Sequence, residues 1–310
     1  MQNVLGIDAG ATSTRVAIHA LDGTRVGYGK AGGGNPSAHG LEKASAAVAQ
    51  ALRDALAGVD PGTIAASVAG VAGKADALAP MFADLWTAHG IPGQIDITGD
   101  LPIAFVAGTA EPDGTVLLSG TGADAARIEG REQRRIADGL GWLLGDEGSG
   151  FWIGRAAAKA VVHTLDRGED HGLLVELVVT HFLGSYRPDD ARAQVDRVVR
   201  LAQADHMRLA KLSVLVSEAA EKDDPMALAI VARAARLLAD TLGRVHQGGP
   251  VVVAGSVLTN EGPVRRAVRD LIGPFATAQD GAGAAAWLAA LSLGAGTGSH
   301  ATFTRAAGSS

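Results

Sequence analysis

The sequence predicts an α/β chain made of two similar halves with a ligand cleft between them. Two stretches carry that prediction. The first is Val4-Leu-Gly-Ile-Asp-Ala-Gly-Ala-Thr-Ser-Thr-Arg-Val-Ala-Ile-His-Ala-Leu-Asp-Gly23. Val4 to Ile7 read as a buried strand and Arg15 to Ala20 as a second. Between them, Asp8 to Thr14 form a turn of small residues, with Gly10 free to take backbone angles closed to other residues. Asp22-Gly23 then signals a hairpin into a third strand. The second stretch, Val116-Leu-Leu-Ser-Gly-Thr-Gly-Ala-Asp-Ala-Ala-Arg-Ile-Glu-Gly130, repeats the order: apolar strand, small-residue turn, strand, acidic-Gly turn.

Each turn presents backbone N–H groups and hydroxyls in one direction, which suits phosphate oxygens. Asp8 lies at a strand end, where a carboxylate can hold Mg2+ through water. Two such hairpins, one opening each half, predict a duplicated architecture with nucleotide in the cleft.

Taken in order, Gly32-Gly-Gly-Asn-Pro-Ser37 is a loop, with Ser37 placed to cap a helix over Ala38 to Ala57. Leu41, Ala44, Val48, Leu52 and Leu56 supply that helix's apolar stripe. Asn35 can both donate to and accept from a sugar hydroxyl, or serve as a turn residue before Pro36. Thr63 to Val68 read as a strand ending in the loop Ala69 to Gly73. Ala75 to His89 read as a helix and Ile95 to Thr98 as a short strand. Asp100 follows where that strand meets a helix beginning near Pro102. It is either a helix cap or a general base at a strand's C-terminal end, where α/β sheets place ligands.

The densest stretch runs from Ala137 to Ala160. Gly139, Gly141, Gly145, Gly148 and Gly150 surround Asp146 and Glu147, beside Trp142 and Trp152, and a helix begins near Ser149. Paired carboxylates among glycines suit a polyhydroxylated ligand and also favour a helix N-terminus. Helices are then expected over Leu173–Leu183, Asp189–Ala202, Leu209–Glu221 and Pro225–His246. Val251 to Val257 form a buried strand running into Gly255-Ser256, a turn against which adenosine can lie. Asn260 to Ile272 form a helix. Gln279 to Gly283 cap a last, Ala-rich helix to Leu293, and 294–310 read as a flexible tail.

Composition excludes several functions. The chain has 310 residues, 47% hydrophobic and 19% charged, enough for a large core. A net charge of −6 without a basic run argues against nucleic acid. No cysteine means no disulfide, no thiolate nucleophile and no cysteine-held cluster. His163, His171, His181, His206 and His246 show no paired ligand spacing, so no metal site is expected there. With no leader pattern and no membrane-length apolar run, a cytoplasmic protein without a membrane partner is expected.

Asp8-Ala-Gly-Ala-Thr-Ser-Thr, Ser119-Gly-Thr-Gly122, Gly145-Asp-Glu-Gly-Ser149 with Phe-Trp-Ile-Gly after it, and Ala254-Gly-Ser-Val257 together carry a resemblance. The chain resembles the N-acetylglucosamine kinase branch of the actin-like ATPase superfamily, which also contains ATPases activating benzoyl-CoA reductases. The resemblance runs from residue 1 to about 293, and the Gly-Asp-Glu-Gly-Ser match is its most specific part. It implies a two-domain actin-like ATPase fold of the ribonuclease H-like type. An N-terminal domain would span 1–108, with the helix at 281–293 packing back on it. A C-terminal domain with a helical insertion would span 109–280. It also implies ATP and Mg2+ as cofactors. Asp8, Gly10, Ala11, Thr12 and Ser13 would form one phosphate loop and Gly120, Thr121 and Gly122 the other, with Gly255 and Ser256 against adenosine. Asp100 would be the catalytic base, with Asn35, Asp146 and Glu147 near the sugar.

The missing cysteines set the chain apart from the reductase activators and from zinc-motif sugar kinases. In the second loop, Asp124 stands where related N-acetylglucosamine kinases have a neutral residue. A carboxylate there suits a protonated 2-amino group better than an acetamide, provided that it does not point outward into solvent. In this respect the chain resembles actinobacterial glucosamine kinases. The expected activity is therefore phosphorylation of the glucosamine 6-hydroxyl, with N-acetylglucosamine as the alternative substrate. The alternative of another class is a regulatory actin-like ATPase acting on a protein partner. A homodimer is expected by analogy alone.

Overall fold

The computed structural model describes residues 2–36, 40–71, 75–187, 190–296 and 299–306. Ser37 and Ala38 of the expected first helix, Gly73 of the expected loop and Asp189 lie outside them.

The first half forms a mixed sheet of β1 (Asn3–Ala9), β2 (Thr14–Ala20), β3 (Arg25–Ala31), β4 (Ile64–Val71) and β5 (Asp96–Thr98), in the order β3-β2-β1-β4-β5. Three antiparallel strands lead into two parallel ones. The second half repeats this with β6 (Gly114–Ser119), β7 (Ala123–Glu129), β8 (Glu132–Asp138), β9 (Val251–Ala254) and β10 (Ala276–Thr277), in the order β8-β7-β6-β9-β10. The duplication predicted from the two hairpins is therefore present strand for strand.

In the first half, α1 (Leu41–Ala55) and α2 (Ala75–His89) cover the sheet, with Leu5, Ile18, Leu52 and Phe82 buried in a common core. β4 extends to Val71, so Ala69 to Val71 belong to the strand rather than to the loop expected there. In the second half, α4 (Gly141–Leu144), α5 (Gly150–Arg167), α6 (Leu173–Leu183), α7 (Ala191–Ala204), α8 (Leu212–Ala220), α9 (Pro225–Gly243), α10 (Ser256–Thr259) and α11 (Pro263–Ile272) follow β8. The expected helix over 209–221 is preceded by a tighter 3-10 segment, His206–Lys211. The expected helix over 260–272 starts later, at Pro263 after Gly262, and a short helix, Ser256–Thr259, precedes it where the strand was expected to continue to Val257; the strand ends at Ala254.

A third core lies between the halves. It joins Val4, Ile103, Phe105, Val116 and Val252 to Trp287 and Phe303. Two helices run through it: α3 (Asp100–Val106) and α12 (Gly281–Ser292). α12 presses so closely on β1 that a side chain at Gly6 would collide with the Ala282 carbonyl and the Ala286 amide. The tail expected to be flexible is not so over residues 299–306. There α13 (His300–Thr304) forms, with Phe303 fully buried. A bulky aromatic with an apolar slot beside α12 outweighs the small-residue composition that suggested disorder.

Candidate active site

The site lies where the two hairpin turns, the N-terminus of α3 and the loop 139–148 come together. The first turn closes by a bond from the Gly10 amide to the Ser13 carbonyl, 3.0 Å. Gly10, although free to do so, does not use a positive φ. The turn is shaped by its backbone bonds instead. The Gly34 and Asn35 amides both donate to the Gly10 carbonyl, at 3.1 and 3.2 Å, which brings Asn35 beside the first loop. Ala11 and Thr12 are exposed at its tip and Ser13 is half-buried.

Asp8 stands opposite Arg15 in the hairpin, with Arg15 Nη1 3.4 Å from Oδ2. Sequence reasoning missed Arg15. Its signal was available: seven residues past Asp8, across a tight hairpin, places both side chains on one face. Burial pushes the Asp8 carboxyl up to about 6; Arg15 opposes this, while Asp100 and Asp280 add to it. The N-terminus of α12 sits against the same carboxylate, since a methyl on Gly281 would lie 2.6 Å from Oδ2.

The second turn closes by Gly120 N–H to the Gly122 carbonyl, 2.9 Å. It is tied to α5 by the Gly150 amide, 2.7 Å from the Gly120 carbonyl. Ser149 caps α5 by accepting from the Trp152 amide. Ser119 Oγ donates to the Gly148 carbonyl, 3.0 Å, and so fastens the Asp146-Glu147 loop to the end of β6. Gly255 adopts φ +81°, and a side chain there would strike the Ser119 carbonyl. The turn expected to face adenosine therefore abuts the second hairpin turn, with Ser256 exposed.

Gly99, not Asp100, occupies the cap position of α3. Asp100 is its first helical residue, so its carboxylate does not cap the helix. Burial raises its pKa, opposed by the local amides; Leu101 N–H donates to Oδ1 at 3.1 Å. Asp124 pairs across the sheet with Leu118 on one side and Asp138 on the other. It is half-buried, near Asp100, Asp138 and Asp146. Burial, then Asp100, Asp146 and Asp138, push its carboxyl up to about 7. Its Oδ1 is buried without a hydrogen-bond partner.

Asp138 is a second residue that the sequence reading passed over. It is buried at φ +65°, and its two oxygens accept from the Asp146 and Glu147 amides at 2.8 Å each. One side chain thus holds the backbone of the Gly-Asp-Glu-Gly loop, where Asp146 itself takes φ +53°. Burial raises the Asp146 carboxyl, opposed by backbone bonds from Ala123 and Gly141. The Glu147 side chain is exposed. The structure thus gathers Asp100, Asp124, Asp138 and Asp146 into one acidic group. Asn35 belongs instead to the first loop, and Glu147 projects away from the group.

Among the described residues no set of three His, Asp or Glu could hold a metal alone. A divalent cation with nucleotide needs less from protein. Asp8, a buried carboxylate with a raised pKa and one cationic neighbour, fits Mg2+ bound through water beside phosphate oxygens. Nor is any helix among the described residues long and apolar enough to cross a membrane.

A sequence profile of the BadF/BadG/BcrA/BcrD ATPase family matches residues 5–276. The chain belongs to this family. ATP is accordingly its nucleotide. An N-acetylmuramic acid/N-acetylglucosamine kinase of Clostridium acetobutylicum is 28% identical over 274 residues, covering 84% of this chain and 87% of that one. A glucosamine kinase of Vibrio cholerae is 28% identical over 185 residues, 59% and 62% of the two chains. Among solved structures, a candidate N-acetylglucosamine kinase from Chromobacterium violaceum superposes with TM-score 0.71 at 25% identity, covering 93% of this chain and 99% of that one. A glucokinase of the ROK family from Streptomyces griseus superposes at 0.58 and 21% identity, covering 94% and 98%, and shares the fold. The fold is that of the actin-like ATPases, as the motifs implied.

Proposed function

We propose that this family member is an ATP-dependent kinase that phosphorylates the 6-hydroxyl of glucosamine. Membership of the ATPase family and the amino-sugar kinases among its relatives support the reaction class. One observation carries the choice of sugar. Asp124 holds a buried, partnerless oxygen amid Asp100, Asp138 and Asp146. A protonated 2-amino group supplies both the missing donor and the missing positive charge. An acetamide N–H supplies only the donor.

In the reaction, the 6-hydroxyl oxygen attacks the γ-phosphorus in line, Asp100 takes its proton, and ADP leaves. Burial, by raising the Asp100 pKa, makes it a stronger base than a surface carboxylate. The amides of the two turns hold the phosphates, and Arg15 is near enough to Asp8 to share charge with them. Mg2+, held with the nucleotide by Asp8 through water, would neutralise charge on the β- and γ-phosphates. Asp138 fixes the loop that presents Asp146.

N-acetylglucosamine is the second reading. A carboxyl with a pKa of about 7 is partly protonated at neutral pH and can then donate to an acetamide carbonyl. The test is ADP release with Mg-ATP and glucosamine, N-acetylglucosamine, glucose, mannosamine or no sugar. Turnover fastest on glucosamine is expected. Preference for N-acetylglucosamine would keep the chemistry and discard the role of Asp124. Equal ADP release without sugar would replace the kinase reading with an ATPase acting on a protein partner.

A further inference from the structure

The C-terminal helix α13 touches both elements that bring the reacting carboxylates together. His300 Nε2 donates to the Val106 carbonyl, 2.7 Å, at the far end of α3, the helix that opens with Asp100. Four residues on, the Thr304 carbonyl accepts from the Asp280 amide, 3.1 Å. Asp280 is the cap of α12, whose first residue lies against Asp8. Arg25 completes the link, donating to Asp280 Oδ2 at 2.8 Å and to the Arg305 carbonyl at 2.5 Å. The chain segment just before α12 joins too, with the Gln279 amide 3.1 Å from the Ala107 carbonyl.

α13 itself is firmly seated. Phe303 is fully buried and stacks on His19, ring centroids 4.8 Å apart. His300 meets Trp287 of α12 edge to face at 4.7 Å. Five residues therefore bridge the C-terminal end of the Asp100 helix and the N-terminal end of the helix behind Asp8.

We propose that α13 is a positioning clasp for phosphoryl transfer, with His300 as the residue that sets the place of Asp100 relative to Asp8. The inference rests on the kinase reading above. α3 is seven residues long. Besides its packing in the shared core, α3 is held at its far end by His300 on the Val106 carbonyl and by the Gln279 amide on the Ala107 carbonyl. Losing the His300 bond leaves that end on the second bond alone and lets the short helix shift, carrying its first residue with it. His300 and Arg305 lie outside the turns and the acidic group described above, so the clasp acts on kcat and leaves ground-state binding alone.

The test is steady-state kinetics of full-length variants, with melting temperatures measured alongside. His300→Ala should lower kcat about tenfold with both KM values within about twofold, since a misplacement on the order of 1 Å costs up to about a hundredfold. His300→Gln, whose amide nitrogen can reach the Val106 carbonyl, should recover most of the loss. Val198→Ala, on the buried face of α7, is the control for destabilisation alone: a lower melting temperature with kcat unchanged. Should His300→Ala fail to fold, Arg25→Lys reads the other arm of the clasp. It keeps a charge near Asp280 but cannot also hold the Arg305 carbonyl. If the folded variants behave like Val198→Ala, the clasp is overturned. If the unaltered chain shows no sugar-dependent ADP release, the kinase reading falls first and the clasp with it.

Discussion

Replacing Asp124 by Asn should weaken the enzyme toward glucosamine and strengthen the fold at the same time. The carboxyl is pushed from 3.8 to about 7, chiefly by burial. At ~1.36 kcal/mol for each tenfold, ionising it in the folded chain costs about 4 kcal/mol more than in water. Solvent entering the cleft screens part of this and leaves about 2 kcal/mol. The sign follows from the raised pKa. The folded state holds the proton longer than the unfolded state, so the cost is absent below about pH 4 and complete above about pH 7. Asn carries no such cost. Its melting temperature should match that of the parent at about pH 4 and exceed it by about 4 °C at pH 8. The bond to the sugar ammonium is worth roughly 1.5–3 kcal/mol, so kcat/KM for glucosamine should fall about ten- to a hundredfold. Turnover of N-acetylglucosamine should change less than about threefold, because no charge pairing is lost there. Coupled ADP-release kinetics and thermal melts at the two pH values measure both effects. An unchanged glucosamine preference together with a pH-independent melting difference would refute the reasoning.

Three further outcomes follow from the site. Asp100→Asn should lower kcat by about a hundred- to ten-thousandfold with little change in either KM, since it removes proton acceptance and keeps the shape; steady-state kinetics on the preferred sugar checks it. Asp138→Asn can accept only one of the two loop amides, so stability should fall by about 2 kcal/mol and the sugar KM should rise about tenfold, read by denaturant melts and saturation curves. Gly255→Ala places a side chain at φ +81° against the Ser119 carbonyl, and should weaken ATP binding by at least about tenfold in calorimetric titration while leaving sugar binding without nucleotide near that of the parent.

Much of this was written in local patterns. The strand–turn–strand repeats announced the duplication because alternation and turn chemistry act over a few residues. The Ala-rich helix after Asp280 was equally plain, since Asp followed by small apolar residues is a start signal. What local pattern could not supply were partners distant in the chain. Asp138 holds amides eight and nine residues on, yet in the sequence it is one more acidic residue before a glycine. The burial of Phe303 depends on a slot made by α12 and the β2–β3 turn, so composition alone read the tail as loose. The freedom of Gly10 goes unused, because three backbone bonds shape its turn without a positive φ.

The duplication also bears on the proposed place for the sugar ammonium. In the first hairpin the residue across from Asp8 is Arg15, so the carboxylate that stands near phosphate has its own counter-charge. In the second hairpin the pair at the same place is Leu118 and Asp124, so that a carboxylate stands at the position of Arg15, opposite Leu118 and, on its other side, opposite Asp138. Neither neighbour is a cation, and Asp138 is already committed to the loop amides. Two copies of one supersecondary unit have thus diverged: one sets a carboxylate against a cation across the hairpin, and the other sets a carboxylate against an apolar residue, which on the proposed reading leaves its counter-charge to the sugar ammonium. A buried carboxylate without a donor is costly, and a fold keeps it where binding repays that cost. The same argument predicts that Leu118→Lys, by giving Asp124 an internal partner like that of Asp8, should lower the Asp124 pKa and compete with the sugar ammonium. Glucosamine KM should then rise about tenfold while that for ATP stays put, measured by varying each substrate in turn. An unaltered glucosamine KM in a folded Leu118→Lys chain would mean that the ammonium does not occupy this place.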